Sequence, residues 1–591
     1  GRCLGRHDSG FTAFAFDVTA ALKPPGEVNR LAVRVRQQDK FWKMDQNDDW
    51  SLPGIYRSVW LEFLPKPFHL DRIEVTTDFD EDYRDAELRV RALVARYEKG
   101  HPWLSVSDPV EVRAVLSDRS GTEVQRAAQT VRITGARTAR DVPLTLRVTA
   151  PARWTAETPT LYELRVELAV GGRVVHTRTE RVGFREIATA GGVLRLNGRE
   201  IKLRGVGRHD LNPEVGRATR PQDWLADLRA MKAANINTVR TAHYPPAEGF
   251  LRLCDELGMY VVDEVPFCLA DEELADPSFA GEALNRVRET VARDRNRPSV
   301  IIWALGNEDP LTDIHITCAR ALKGMDPTRP LLLPWRAEAD LPPEIDLLAP
   351  HYWTAEEYDR LAAAARRPIL STEYTHAVGR DDFGGLADRW TSLTRHPAGA
   401  GALIWAWADQ GLRRPVNGRP VYDPVRDLAR YPARGSDLVL SRRLGSNEIL
   451  DVHGVYGGDG IVDADLTPQR DYWETKAVYS PVQVLADRVA FAPGQAEVSI
   501  PVRNAYDFTD LATVRATWIL YRNQTKLAEG VAPLAGAPHA ETALIVPATA
   551  VPADAPPGAY FLHLAFADPA GAEITRRSVR LGDLPTRPAA P

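Results

Sequence analysis

The chain has 591 residues, 44% of them hydrophobic and 26% charged, the balance of a soluble globular protein, which excludes a disordered chain or a fibre. At roughly 150 residues per domain, this length calls for about four domains, or three if one is a large barrel. With 74 basic against 80 acidic residues the net charge is −6, so no global positive field draws the chain to nucleic acid or an anionic membrane, and the expected partner is a small neutral molecule. No run approaches the ~18 apolar residues of a membrane span. The cysteines, Cys3, Cys254, Cys268 and Cys318, are too few and too scattered for a disulfide framework or a structural zinc site. The opening GRCLGRHDSG has no start methionine, basic region or apolar run. A longer native chain is therefore expected, and its compartment is left open between cytoplasm, periplasm and secretion.

Residues 1–66 hold short β-type runs, FTAFAFDV, NRLAVRVRQ and SVWLEFL, closed by Pro65 and Pro67, and read as part of a β-sandwich. Residues 67–185 repeat that character in HLDRIEVTTDF, AELRVRALVARY, EVRAVLS and LYELRVELAV, at the strand spacing of an immunoglobulin-like sandwich. Residues 481–591 return to it in VQVLADRVAF, AEVSIPVRN, TVRATWILYR and AYFLHLAFAD. Residues 186–480 differ, because continuous apolar runs alternate there with amphipathic stretches, the signature of a parallel α/β sheet. Eight strand candidates stand out: IKLRGV, INTVR, MYVVDE, VIIWAL, PLLLPW, DLLAPHY, PILSTEY and ALIWAW. Helical candidates between them include DWLADLRAMKAAN, EGFLRLCDELG with Gly258 as its C-cap, LNRVRETVARD and EEYDRLAAAARR. Eight such units fit a TIM barrel better than an open sheet, and no GxGxxG or GxxxxGK[ST] marks a nucleotide fold.

In such a barrel the active site lies at the C-terminal strand ends. The fourth strand runs into Asn307 and Glu308, and the seventh into Glu373 and Tyr374. Two carboxylates from well-separated strands, facing one cavity, are what a retaining glycosidase requires. The same rim collects Arg208, His209, Asp210, Arg240, His243, Tyr244, Asp263, Glu264, His351, Tyr352, Trp353, Trp405 and Trp407. Such a mixture of polar and aromatic groups suits a hydroxyl-rich ligand.

The strings LRGVGRHDLNPEVGRA, MKAANINTVRTAHYPPAEGFLRLCDELGMYVVDE, DRNRPSVIIWALGNE and PILSTEYTHAVG closely resemble glycoside hydrolase family 2, and within it the β-galactosidase type. DDWSLPGIYRSVWL, VGFREI and YWETKAVYSPV extend that resemblance over nearly the whole chain. It implies a sugar-binding-like jelly roll (1–66, incomplete), an immunoglobulin-like β-sandwich (67–185), a catalytic TIM (β/α)8 barrel (186–480) and a C-terminal β-sandwich (481–591). Carried over by position, Glu308 resembles the general acid/base and Glu373 the nucleophile. Asn307 resembles the residue that binds the sugar 2-hydroxyl, and His209, His243 and His376 resemble substrate and transition-state contacts. Tyr352 falls beside the nucleophile, Trp405 resembles the aromatic floor of the sugar subsite, and Asp48 a carboxylate that the first domain extends into the pocket. Arg240 is expected to hold Glu373 ionised.

The departures from the pattern are local. Where metal-dependent relatives carry a Glu and a His for magnesium, this chain has Cys268 and Ala270, so no metal or cofactor is expected, and the acids Asp271, Glu272 and Glu273 read as a solvated loop or a helix start ahead of substitute ligands. The implied activity is an exo-acting retaining hydrolysis of terminal β-D-galactosides. The alternatives are the same chemistry on a β-glucuronide, β-mannoside or other β-glycoside, and a non-catalytic carbohydrate-binding homologue. Arg208 and Arg380 are the cations near the relevant loops that a uronic acid would need. Assembly into a homo-oligomer is left open.

Overall fold

The computed structural model describes residues 2–36, 38–50, 52, 54–97, 109–134, 137–377, 385–415, 440–443, 448–452, 458–556 and 558–582; Arg380 lies outside them. Seven of the eight barrel strands expected from the apolar runs are present, and the sixth is a segment of isolated bridges. In chain order the eight are Leu203–Arg208, Thr238–Thr241, Tyr260–Val265, Val300–Leu305, Leu331–Leu332, the segment 347–351, Ile369–His376 and Gly399–Trp405. Seven form one sheet in the order fifth, fourth, third, second, first, eighth, seventh, and their pairing is parallel throughout. The segment 347–351 closes the ring by parallel bridges, Leu332 with Leu347 on one side and Leu348 with Ile369 on the other. The first, third and fourth strands are buried at every position, because the ring packs side chains inside and helices outside.

The helices follow the same logic. Pro221–Ala233, Glu248–Leu257, Ala280–Asp294 and Ala355–Ala364 coincide with the amphipathic runs. Gly258 ends the second of these in the left-handed region, φ +73°, as a C-cap glycine does. Asp271–Ala275 forms a short helix, so the acid run is a helix start, with Lys43 lying 3.6 Å from Glu272 and 3.4 Å from Glu273. Asp313–Met325 and Leu386–Thr394 are further helices not singled out from the sequence.

Ahead of the barrel, Phe68–Phe79, Ala86–Tyr97 and Arg137–Val148 form one antiparallel sheet of a sandwich. Glu123–Arg132, Pro109–Ser117, Tyr162–Val170 and Arg173–Val182 form the other. Alternating burial sends Leu88, Val90, Val112, Leu116, Leu164 and Val166 into the core between them. From the end of this sandwich Arg185 donates to the carbonyls of Pro298 (3.0 Å) and Val300 (2.8 Å), at the start of the fourth barrel strand and so at the end remote from the rim. The C-terminal unit has its own core between a sheet of three strands and a sheet of five, with Trp518, Leu520, Leu562 and Phe566 at its centre.

The first 66 residues depart from expectation. FTAFAFDV, NRLAVRVRQ and SVWLEFL form no assigned strands among the described residues, and the segment's only regular elements are the short turns Thr19–Ala21 and Trp42–Asp45. Strand propensity needs a ladder partner to become a sheet. Without one, Val59, Trp60 and Phe63 are 68%, 71% and 79% exposed. The segment nonetheless reaches the barrel. Arg286, buried on the helix Ala280–Asp294, donates to the Met44 carbonyl (3.0 Å) and pairs with Asp45 (2.8 Å), Trp50 donates its indole N–H to the Gln410 carbonyl (2.5 Å), and Arg57 pairs with Asp210 (2.6 Å).

Candidate active site

The C-terminal strand ends converge on Arg240, which is fully buried. Its Nε donates to Glu264 Oε2 (2.6 Å), Nη1 to Glu373 Oε1 (2.7 Å) and Nη2 to Asn307 Oδ1 (2.6 Å), while Nη2 also lies 3.1 Å from His243 Nδ1. One planar fork of donors thus sets the relative positions of side chains from the second, third, fourth and seventh strands. Tyr352 O–H donates to the other oxygen of Glu373. The tyrosine is 38% exposed, yet its hydroxyl points inward, and burial together with Glu373 pushes the phenol well above its ordinary value, which keeps it a donor.

Burial alone would raise the Glu373 carboxyl. His351, Arg240 and His243, with the Tyr352 hydroxyl, overcome that and bring it down to about 2. Arg240 is the dependable charge among these, because burial, Arg240 and His209 hold His243 well below the usual imidazole value. Glu264 has the opposite fate. Burial lifts it to about 7 against the pull of Arg240, and Glu373 adds to the rise. Two acids on one arginine are therefore pushed in opposite directions, an arrangement typical of functional sites.

Glu308 stands across the pocket from Glu373. Glu308, His351 and Glu373 each offer a ligand-type atom, and the three atoms lie within 4.8 Å of one another. His351 Nδ1 is 2.8 Å from Glu308 Oε1, and its Nε2 is 2.7 Å from Thr372 Oγ1. Glu308 (φ +54°) and Tyr352 (φ +56°) both occupy the left-handed region, a strained backbone of the kind that gathers at active sites. Gly306 (φ +75°) sets up that turn, since a Cβ there would lie 2.6 Å from Asp309 Oδ2.

Trp405 stacks on His243 (4.8 Å between centroids, 14°) and meets the His209 ring edge-on (5.3 Å, 81°), leaving the tryptophan 2% exposed. Gly207 makes room for it, because a Cβ there would come 2.7 Å from the indole. His209 directs Nδ1 toward Asp49 Oδ2 (3.3 Å), while its buried Nε2 has no partner among the described residues. His376 lies beside Tyr352, with ring centroids 5.8 Å apart.

Asp48 is exposed and Asp49 is buried, which sequence reasoning did not distinguish. Asp49 pairs with Arg217 and accepts from Tyr244 O–H (3.1 Å), so it orients His209 from beneath. Asp48 still contributes to the pocket's field. Burial, Asp48 and Asp409 push the Asp459 carboxyl well above the usual carboxylate range. The roles of Asp49, Glu264 and His351 were not assigned from the sequence. The last two were visible only as polar residues at strand ends, and for Asp49 the only signal was its place beside Asp48.

Cys268 and Ala270, the positions at which the resemblance implies magnesium ligands, do not fit a hard cation here. Burial holds the Cys268 thiol well above its ordinary value, so it is protonated, and it accepts from Asn307 Nδ2 at 3.6 Å. Ala270 has no donor side chain, and its backbone N–H is taken by Asp309 (2.8 Å). Magnesium binds oxygen ligands, which this pair does not supply. Arg208, a candidate cation for a uronic acid, is engaged with Asp227 (2.6 Å) and Asp210 (3.3 Å).

Comparison with known proteins gives the family. Residues 187–484 match the family model described as glycosyl hydrolases family 2, TIM barrel domain, residues 68–185 a second model described as glycosyl hydrolases family 2, and residues 500–573 one described as beta-galactosidase, domain 4. A curated β-galactosidase of Aeromonas hydrophila is 30% identical over 98% of this chain and 56% of its own length. One from Priestia megaterium is 31% identical over 88% of this chain and 49% of its own. The chain thus spans about half the length of these curated relatives. Among solved structures, a glycosyl hydrolase family 2 member from Bacteroides cellulosilyticus superposes with a TM-score of 0.63 at 21% identity, covering 98% of this chain and 71% of its own. A β-galacturonidase from Eisenbergiella tayi gives 0.59 at 22%, covering 75% and 78%. These two show the fold alone. Barrel model, sandwich model and long curated matches lead to one conclusion: the chain belongs to glycosyl hydrolase family 2.

Proposed function

We propose that this chain is an exo-acting β-glycosidase that removes a terminal β-D-galactosyl residue with net retention. The observation that carries the reading is the approach of Glu308 and Glu373, one carboxyl oxygen of each within 4.8 Å of the other across the pocket. Retaining enzymes need about 5 Å, whereas an inverting pair needs room for a water between the groups.

Glu373, kept ionised by Arg240 and Tyr352, attacks the anomeric carbon. Glu308 gives its proton to the departing oxygen as that bond breaks, leaving a glycosyl ester on Glu373. The ester is neutral, so Glu308, now a carboxylate, takes a proton from water. That water attacks the same carbon from the face the aglycone left and frees Glu373. Asn307, its Oδ1 fixed by Arg240, presents its amide to the sugar 2-hydroxyl. His209 Nε2, His243, His376, Tyr352, Trp405 and Asp48 bound the remaining sugar contacts. No cofactor takes part, and the reading includes neither a nucleic-acid nor a membrane partner. No helix among the described residues is long and apolar enough to cross a membrane.

Two features favour a neutral sugar over a uronic acid. Arg208 is already neutralised, and the acids Asp48 and Asp409, which also keep Asp459 from ionising, would repel a second carboxylate. Preference for galactose rests on the curated β-galactosidases that the chain resembles. A panel of nitrophenyl β-glycosides tests the sugar: galactoside is expected to give the highest kcat/KM, and a higher value for glucuronide or mannoside would overturn the preference. A 2-deoxy-2-fluorogalactoside followed by peptide mass spectrometry tests the chemistry, with the label expected on Glu373. Labelling elsewhere, or none from a turned-over substrate, would overturn the nucleophile.

A further inference from the structure

We propose that His351 is a positioning residue for Glu308: its Nδ1–H holds Oε1 of the acid/base, the Thr372 hydroxyl fixes the imidazole, and Oε2 is left to exchange the proton. This rests on the assignment of Glu308 as acid/base.

The geometry selects Glu308 as the partner. His351 Nδ1 is 2.8 Å from Glu308 Oε1 but 3.9 Å from Glu373 Oε1, beyond hydrogen-bond reach. On its other side Nε2 meets Thr372 Oγ1 at 2.7 Å. The imidazole is 1% exposed and Thr372 is fully buried, so water does not compete for either bond. The Thr372 hydroxyl can donate to a bare Nε2 or accept from Nε2–H, so in either form Nδ1–H is free to face Glu308. The backbone secures the ring as well. His351 bridges Glu373 in parallel register, and the next residue, Tyr352, donates its N–H to the Glu373 carbonyl at 2.8 Å. The imidazole is thereby registered to the nucleophile's own strand while its side chain grips the opposing carboxyl.

Glu308 needs such a grip. Its side chain is 30% exposed, it leaves the fourth strand with φ +54°, and the bond to His351 is the one hydrogen bond its carboxyl makes among the described residues. A carboxyl free to rotate about its last torsion would present its proton in many directions, and misplacement by about 1 Å costs on the order of 100-fold in rate. Held by Oε1, the group gives the Oε2 proton to the leaving oxygen as the glycosidic bond breaks. Oε2 then takes one proton from water as the new C–O bond forms, and His351 keeps its own proton throughout.

The test uses the full chain and aryl glycosides of the sugar selected above. His351→Phe keeps the ring volume without hydrogen bonds, and His351→Asn returns an amide donor near the Nδ1 position. His351→Phe is expected to lower kcat/KM by about 10- to 100-fold on phenyl glycosides, whose leaving group needs a proton, and to change it little on 2,4-dinitrophenyl glycosides, which need none. His351→Asn should recover most of the loss, and Thr372→Val should give a smaller loss with the same leaving-group dependence. Equal losses on both substrates, or phenyl-glycoside activity unchanged by His351→Phe, would overturn the proposal. Glu308→Ala run alongside separates the two readings. If it lacks leaving-group dependence, the acid/base assignment itself fails. If it shows that dependence and His351→Phe does not, only the positioning role fails.

Discussion

Two buried arginines at opposite ends of the barrel show how the same side chain can serve structure or chemistry. At the strand starts, Arg329 donates to the carbonyls of Val300 (2.6 Å), Arg295 (2.7 Å) and Arg297 (2.9 Å) and to Asp326 (2.6 Å). Asp326 is itself saturated by Trp303 and Thr328, and Arg329 with those donors holds it below its ordinary value despite burial. At the strand ends, Arg240 meets no comparable set of main-chain acceptors. Its closest partners are two carboxylates, an amide and an imidazole, groups that can turn, titrate or bind a ligand. Main-chain acceptors lock a junction, whereas side-chain acceptors leave it able to react.

Four experiments sharpen that contrast. The largest effect belongs to the reactive end: Glu373→Ala should lower kcat on the order of 10⁴-fold or more, with the fold retained by circular dichroism. Turnover near the unaltered level would remove Glu373 from the chemistry. Next, at the structural end, Arg329→Met leaves Asp326 buried without its cation and should cost about 3–5 kcal/mol in denaturant melts, while activity per folded molecule stays unchanged. A large loss of specific activity with little loss of stability would reverse the two roles. Third, Glu264 is pushed up to about 7 in the fold from an ordinary value near 4.5. The folded chain therefore holds a proton that the unfolded chain releases first, and stability should fall as pH rises between these values, by about 3 kcal/mol in all. Glu264→Gln should abolish this component, and an unaltered pH profile of stability in that variant would exclude it. The smallest effect comes from backbone strain. Glu308→Gly removes the Cβ from a residue at φ +54° and should raise stability by about 1 kcal/mol while abolishing acid catalysis.

Barrel and site were legible in the sequence to different depths. The eight apolar runs gave the strands because parallel strands buried on both faces must read that way, and their C-terminal residues placed Glu308, Glu373, Arg240 and Tyr352 at the rim. The sixth strand was expected as DLLAPHY and is held by isolated bridges, since Pro350 lacks the N–H that a continued ladder needs. The N-terminal runs show the limit of propensity, because residues that favour strands stayed unpaired where no ladder partner stood beside them. Which of Asp48 and Asp49 is buried, and which carboxyl His351 grips, depend on contacts between distant segments, to which residue spacing is blind.

The guanidinium of Arg240 also bears on how such a barrel can diversify. Because one rigid plane sets Glu373, the amide of Asn307, Glu264 and His243, the partners of Arg240 all lie outside the segments around residues 48 and 459. For the glycosidase proposed above, exchanging, lengthening or recharging those outer segments to suit a different sugar leaves the Arg240 bond to Glu373 in place. Sugar preference in the proposed enzyme is thereby open to redesign without moving Glu373.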